Sequence, residues 1–217
     1  MSTRTRPKPR PKLEAVAESP ERKCEVTRRR ILDAAAKVFR DQGYSAARLS
    51  DIADAIGMKA GSLYYHFDSR ESLVEAVMEL GLERSRAAVK AKLESLPAGA
   101  DALDRLRAAI ETHLVMAVEQ EHYTSATIKL IWQVPPAIRE RQLAGQRAYG
   151  DDWRKLLDDA RRARKIRSDL DPSVVRMAIL GSLNWAADWF VPGKKTPARV
   201  AHDIAAMLLE GLAVEPG

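Results

Sequence analysis

The side chains best placed to do chemistry together lie between Leu49 and Phe67, in the run Leu-Ser-Asp-Ile-Ala-Asp-Ala-Ile-Gly-Met-Lys-Ala-Gly-Ser-Leu-Tyr-Tyr-His-Phe. Ile52, Ala53 and Ile56 give a first short helix one buried face, Ala53 is small enough for a second helix to cross closely, and Gly57 supplies the tight turn between them. On the second helix Leu63 and Phe67 are four apart and face inward. That leaves Lys59, Ala60, Gly61, Ser62, Tyr64, Tyr65 and His66 to cover the exposed face and ends. Small residues at the start let the helix amino terminus approach phosphates and base edges, which is what the major groove of DNA demands. Covalent catalysis is not indicated, because no Gly-rich phosphate loop and no Ser, His and acid or Cys and His set can be placed together. His113, His122 and His202 lie far apart and form no ligand-spaced pair, and a lone His66 makes no metal site, so neither a metal nor another cofactor is expected.

Helices must position these groups. Apolar Ile31, Ala34, Ala35, Val38 and Phe39 follow i, i+3, i+4, i+7, i+8 spacing and predict a helix between Val26 and Gln42, stopped by Gly43. Short helices are expected at about Leu49 to Ile56 and Lys59 to Phe67. Asp68 with Glu71 three positions on resembles a capping box for a longer helix towards Leu93, ended by Leu96-Pro97-Ala98-Gly99. Further helices are predicted at about Ala102 to Glu119, His122 to Trp132 and Pro136 to Lys165. Asp171 with Pro172 opens one through Phe190, and Thr196 with Pro197 opens the last through Leu212. No useful period-two alternation and no internal repeat appear, so the fold class is all-α with about nine helices.

The charge is distributed unevenly. Residues 1–30 hold ten Lys or Arg against four Glu, a net of +6, while the other residues hold 26 basic and 26 acidic side chains. A basic arm on a neutral body points to a polyanionic partner, or to a solvated tail. Pro7, Pro9, Pro11 and Pro20 interrupt any helix there, so residues 1–21 read as a disordered arm. No apolar stretch of about 7 residues follows the positive start, as a secretory signal would require. The one long apolar run, Met177 to Val191, contains Asn184 and Asp188 and stops at Pro192, too short for a membrane span. With 217 residues, 46% hydrophobic and 30% charged, the chain reads as a soluble globular protein of one domain or two small ones. Cys24 is the only cysteine, which excludes an intrachain disulfide and favours a cytoplasmic location.

Thr27 to Leu80 resembles the amino-terminal DNA-binding region of the TetR family of bacterial transcriptional regulators. The matching residues are Arg30-Ile-Leu-Asp-Ala-Ala, Phe39, Gly43, Asp51-Ile-Ala53, Gly57, Gly61-Ser-Leu-Tyr-Tyr-His-Phe67 and Arg70-Glu-Ser-Leu73. Arg48 and Lys59 depart from the pattern, standing where the family usually has a Thr and a Ser that cap the two short helices; a lost cap costs about 1 kcal/mol, and a cation there can grip phosphate instead. The resemblance implies a helix-turn-helix domain over 22–68 and a helical ligand-binding and dimerisation domain over 69–217. It implies that Ser62, Tyr64 and His66 touch phosphate or sugar, that Lys59, Ala60, Gly61 and Tyr65 sit nearest base edges, and that Arg48 and Arg70 clamp flanking phosphates. The expected partner is a palindromic operator in double-stranded DNA.

The same resemblance implies an effector cavity among the middle helices. Candidate lining residues are His113, Met116, Tyr123, Ile128, Trp132, Trp153, Asn184, Trp185, Asp188 and Trp189, a set rich in aromatics that suits an apolar or amphipathic small molecule. Asn184 and Asp188 stand out as a polar pair on an otherwise apolar helix, which needs a partner if buried. Leu183 to Gly193 with Thr196-Pro197 is similar to family members that control fatty-acid and steroid catabolism and sense acyl-CoA thioesters, the alternative being a drug-like or other aromatic effector. The helix over Met177 to Val191 is apolar around almost its whole circumference and must be covered on all sides, by a second subunit or by a larger core of its own chain. In the first case two helices from each subunit would make a four-helix homodimer interface, expected from Ile179, Leu183, Ala187, Phe190, Val200, Ile204, Met207 and Leu208. Three classes compete: a dimeric repressor released by effector, an enzyme on a helical ligand-binding domain, and an architectural DNA binder with no effector. The motif favours the first.

Overall fold

A proline with an acidic residue beside it opens the first helix. Pro20 has the backbone angle of a first helical turn and needs no amide donor there, while Glu21 complements the positive end of the helix dipole. In the computed structural model, which describes residues 20–212, α1 therefore runs Pro20–Ala46. It starts six residues before the Val26 expected from periodicity and takes in residues 20 and 21, assigned above to the arm. The rest of the proposed basic arm lies outside the described residues.

Gly43 does break this helix, at φ 75° and ψ 179°. Only glycine adopts that region without strain, and an added Cβ would come 2.9 Å from Oε1 of Gln133, the oxygen that accepts the amide of Tyr44. Gly43→Ala should therefore cost about 2 kcal/mol and lower the melting temperature by roughly 5 °C, which thermal unfolding of the two proteins would measure.

Two short helices, α2 (Leu49–Ala55) and α3 (Ala60–Leu63), follow, separated by Gly57 at φ 68°. The chain stays coiled beyond Leu63, since the amides of His66 and Phe67 both donate to its carbonyl. The next helix, α4 (Arg70–Glu94), is not capped by Asp68 with Glu71 as expected. Ser69 is the N-cap, its Oγ accepting the Ser72 amide at 3.0 Å while Ser72 Oγ accepts the Ser69 amide at 3.1 Å. Two short hydroxyls fit this reciprocal box, and Glu71 is drawn off to accept the Tyr44 hydroxyl at 2.7 Å.

Beyond it come α5 (Ala102–Glu119), α6 (Glu121–Leu130), α7 (Pro136–Arg162), α8 (Pro172–Trp189) and α9 (Pro197–Glu210). The side chains of Asp171 and Thr196 cap α8 and α9 as their sequence signals imply, and Asp101 caps α5. The described residues thus form nine α-helices, and none is long and apolar enough to cross a membrane.

Two apolar cores hold the helices. One gathers Ile31, Ala35 and Phe39 of α1 with Ile52, Leu63, Leu73 and Met78, and extends to Tyr123, Leu130 and Ile138. The other joins Ile110 and Leu114 of α5 to Trp153 and Leu157 of α7, Ile179 and Leu183 of α8, and Ala205 and Leu209 of α9. Helix α4 feeds both, through Leu73 to Met78 at one end and Val89 at the other. At 25 residues and about 1.5 Å per residue it is a strut of roughly 37 Å. Helix α6 belongs to the first core although it lies in the carboxy-terminal part of the chain, so the middle of the molecule is packed directly onto α1.

Candidate functional site

Leu63 and Phe67 are buried, as their spacing requires, together with Ile52 and Ala53 opposite them. Lys59, Ala60, Gly61 and Ser62 are exposed. Tyr64 is 56% and Tyr65 83% exposed, so neither is spent on the core. An apolar ring left that far in water on a short helix is free to meet a partner. His66 is half-buried, its Nδ1 3.9 Å from Cys24 Sγ and its ring edge-on to Tyr65 at 5.2 Å.

Neither short helix has a side-chain cap, in keeping with Arg48 and Lys59 at those positions. The Arg48 amide donates to Asp51 Oδ2 at 3.3 Å, and the exposed cationic side chains of Arg48 and Lys59 flank the two helix starts. Both helix amino termini thus keep amides available to an anion, with a cation beside each.

Arg70, expected at phosphate, is half-buried. Its Nη1 donates to the Ala47 carbonyl at 3.2 Å and its guanidinium lies 4.2 Å over the Tyr44 ring, so it ties α4 to the end of α1. Two arginines that were not among the expected DNA-contact residues do similar work. Arg28 donates to the His66 carbonyl at 2.8 Å and stacks 4.2 Å over Phe67, and Arg30 donates to the Ile56 carbonyl at 3.2 Å. Each places a cation on the carboxyl end of one short helix, where the dipole favours it. In the sequence they are hidden in the Arg28-Arg29-Arg30 run, which reads as arm charge; only the crossing of α1 behind α2 and α3 separates their roles.

A cavity of about 850 Å³ lies among α4, α5, α6, α7 and α8. Of the ten expected lining residues, His113, Tyr123, Ile128, Trp132 and Asn184 border it. Met116, Trp153, Trp185, Asp188 and Trp189 do not. Trp153 is buried behind the wall, edge-on to His113 and Tyr149. Met116 Sδ accepts from Gln120 on its own helix. Asn184 and Asp188 fail to form a buried pair, because four residues advance the helix by about 40° past a full turn and leave Asp188 exposed in the last turn of α8.

Sequence reasoning missed the polar side of the cavity. Arg147 and Arg154 of α7 and Arg176 of α8 border it, with Asp151 paired to Arg154 at 2.7 Å and Arg176 donating to the Gly150 carbonyl. The 147, 151, 154 spacing puts these charges on one face of a helix and is a legible signal. At the inner wall His113 is fully buried between the Tyr149 hydroxyl, 2.9 Å from Nδ1, and Asn184 Oδ1, 3.0 Å from Nε2. Desolvation holds its pKa below the ordinary histidine value, so it is neutral at pH 7.

Tyr123 connects the cavity to α1. Its ring borders the cavity while its hydroxyl donates to Asp33 Oδ1 at 2.6 Å, with Arg84 4.9 Å over the ring and 3.9 Å from the same carboxylate oxygen. Burial, reinforced by the Asp33 carboxylate, pushes the Tyr123 hydroxyl up, so it remains a donor.

The residues expected at a subunit interface divide. Ile179, Leu183, Ala187 and Val200 are buried inside their own chain, Phe190, Ile204 and Leu208 are half-buried, and Met207 is 64% exposed. The stripe richest in branched residues is the one the chain keeps for its own core. What faces outward on α8 is Val174, Met177, Ala178, Gly181 and Trp185.

Two family models match the chain: "Bacterial regulatory proteins, tetR family" over residues 31–77 and "Tetracyclin repressor-like, C-terminal domain" over residues 99–212. The chain is 29% identical over 191 residues to the HTH-type transcriptional repressor KstR2 of Rhodococcus jostii, a match covering 86% of this chain and 91% of the relative. Among solved structures it is similar to the TetR family regulator PfmR from Thermus thermophilus, with 29% identity, a TM-score of 0.74, and 85% and 100% of the two chains covered. It is likewise similar to AibR, solved in complex with isovaleryl coenzyme A and operator DNA, with 27% identity, a TM-score of 0.70, and 84% and 97% covered. With models for both halves matched and its helix-turn-helix in place, the chain belongs to the TetR family of bacterial helix-turn-helix transcriptional regulators.

Proposed function

We propose that this protein is a homodimeric repressor that reads a palindromic operator and is released from it by a small amphipathic effector. The observation that carries the reading is the α3 surface. Tyr64 and Tyr65 stand exposed beside Lys59, Ala60, Gly61 and Ser62, and Arg28 and Arg30 brace the helix pair from behind. A rigid, outward-facing, uncapped helix start is suited to the major groove, where phosphate contacts position a protein and base contacts specify its site.

Dimerisation rests on the outward stripe of α8, together with Met207 and the edge of Leu208 from α9. Val174, Met177, Trp185 and Met207 are each more than 60% exposed, and large apolar side chains left in water on these two helices call for a self-complementary partner. Two reading heads then follow from one interface.

Release runs through α6. Its cavity-facing side chains Tyr123, Thr127 and Ile128 meet the effector, while Tyr123 holds Asp33 and Gln133 just beyond the helix holds the Tyr44 amide. An effector that shifts α6 shifts α1 with it and favours a spacing of the heads that no longer fits both half-sites. The apolar wall with arginines beside it matches an acyl-CoA thioester, whose acyl chain is apolar and whose nucleotide is anionic; AibR was solved with one such molecule.

Selection from random duplex DNA at near-physiological salt tests the reading. A two-fold symmetric motif, released by an acyl-CoA, is expected; binding without a motif would instead mark an architectural protein. Tyr65→Ala should relax preference at one or two motif positions, by about 1–3 kcal/mol each, with little change on random DNA. Equal losses on both would move Tyr65 to the phosphate backbone.

A further inference from the structure

Tyr149, His113 and Asn184 form a chain of hydrogen bonds on the inner wall of the cavity. Trp153 packs behind them, 1% exposed, its Nε1–H without a hydrogen-bond partner among the described residues. The Tyr149 hydroxyl is buried, and its one partner among the described residues is His113 Nδ1 at 2.9 Å, so its O–H donates there. A neutral imidazole that accepts at Nδ1 carries its proton on Nε2. Nε2–H therefore donates to Asn184 Oδ1 at 3.0 Å. The Asn184 amide is thereby oriented, and its Nδ2 makes no hydrogen bond among the described residues although Asn184 borders the cavity.

We propose that Asn184 Nδ2 is the specificity determinant of the effector cavity, donating to an uncharged acceptor oxygen of the ligand, a carbonyl of its acyl part, with His113 and Tyr149 as positioning residues that fix its direction. This rests on the effector reading above and deepens it. Because the Tyr149 O–H and then the His113 Nε2–H are each spent on the next group in line, the cavity presents N–H at this point. A ligand lacking an acceptor leaves that amide desolvated and unpaired. A site built around a hydrogen bond rejects the analogue that cannot form it far better than an apolar pocket rejects a missing methylene. Every acyl-CoA carries two amide carbonyls in its pantetheine arm; the acyl part adds two possible sources, the thioester itself or an oxo group further along the chain, and both present the same lone pairs.

Two measurements on the full chain decide it. In the protein labelled with ¹⁵N-histidine, the His113 signal, assigned by its loss in His113→Gln, should report the neutral Nε2–H tautomer at pH 7. An Nδ1–H tautomer or an imidazolium overturns the proposal whatever the ligand. Quenching of tryptophan fluorescence is then titrated with decanoyl-CoA, 9-oxodecanoyl-CoA and the thioether S-decyl-CoA, which keeps the pantetheine amides but has no carbonyl in its decyl part. At least one probe with a carbonyl in its acyl part should bind roughly tenfold or more tighter than the thioether, and the one that gains tells which carbonyl Asn184 meets. That advantage should vanish in Asn184→Leu and in the isosteric Asn184→Asp, which keeps the bond to Nε2–H but offers the ligand no donor. Equal binding of all three probes by the unaltered protein, or an advantage that survives both substitutions, overturns the proposal while leaving the effector reading standing. If none of the three binds, the acyl-thioester part of the proposed function falls and the tautomer alone decides this inference.

Discussion

Gly61→Glu is expected to remove specific DNA binding while leaving the protein folded. A Cβ added at Gly61 meets no atom within 4 Å, and the residue sits in the first turn of α3. Glutamate has the better helix propensity, and an acidic side chain is favourable near a helix amino terminus. The folded protein should thus be as stable as before or slightly more so. The carboxylate would stand where the proposed interface meets base edges and phosphates, beside Ala60 and Ser62, with repulsion and bulk both opposing approach. A loss of at least about a hundredfold in affinity for the selected site is expected, roughly 2.8 kcal/mol, with an unchanged thermal transition. Fluorescence anisotropy on the labelled site and a melting curve measure the two. Retained affinity would place the amino-terminal turn of α3 outside the groove.

Trp153→Ala is expected to have the largest effect on stability. Trp153 is among the bulkiest fully buried side chains and packs against His113 and Tyr149 in the second core. Truncating a buried aromatic to alanine costs about 3–5 kcal/mol, through lost transfer energy and the cavity left behind, and at this size that lowers the melting temperature by roughly 10 °C. Trp132 supplies the control. It borders the effector cavity at 72% exposure, so Trp132→Ala should change stability by only about 0.5 kcal/mol. Thermal or urea unfolding of the two variants separates the indole that holds the core from the one that waits at the cavity, and similar losses for both would contradict these placements.

Much of this was legible from local rules. Helix starts at Asp171 and Thr196 are written in N-caps followed by proline, and caps act over three residues. Gly43 and Gly57 announce breaks because a positive φ is a property of the residue itself. Leu63 and Phe67 against Tyr64 and Tyr65 follow from helical period alone, so the exposed face of the reading helix was legible too.

The α8 helix shows where period stops being informative. Its apolar residues surround the axis, so nothing local says which stripe meets the chain's own core, and the packing of α5, α6 and α7 turned Ile179 and Leu183 inward and Val174, Met177 and Trp185 outward. Trp153 and Trp132 look alike in sequence for the same reason. The arginines make the point for polar groups: a guanidinium reaches several ångströms from its own backbone, and what it finds belongs to other elements. Hence Arg70 serves Ala47 and Tyr44, and Arg28 serves His66 and Phe67.

By itself, then, the sequence determined the helices, their breaks and caps, and the helix-turn-helix with its outward tyrosines, because each depends on residues within a turn or two of one another. Only the tertiary structure decided which indoles and arginines face the cavity, which stripe of α8 is left uncovered, and how His113, Tyr149, Trp153 and Asn184 line up. Those side chains come from three helices up to 71 residues apart, and their order is set by packing at a distance rather than by spacing along the chain.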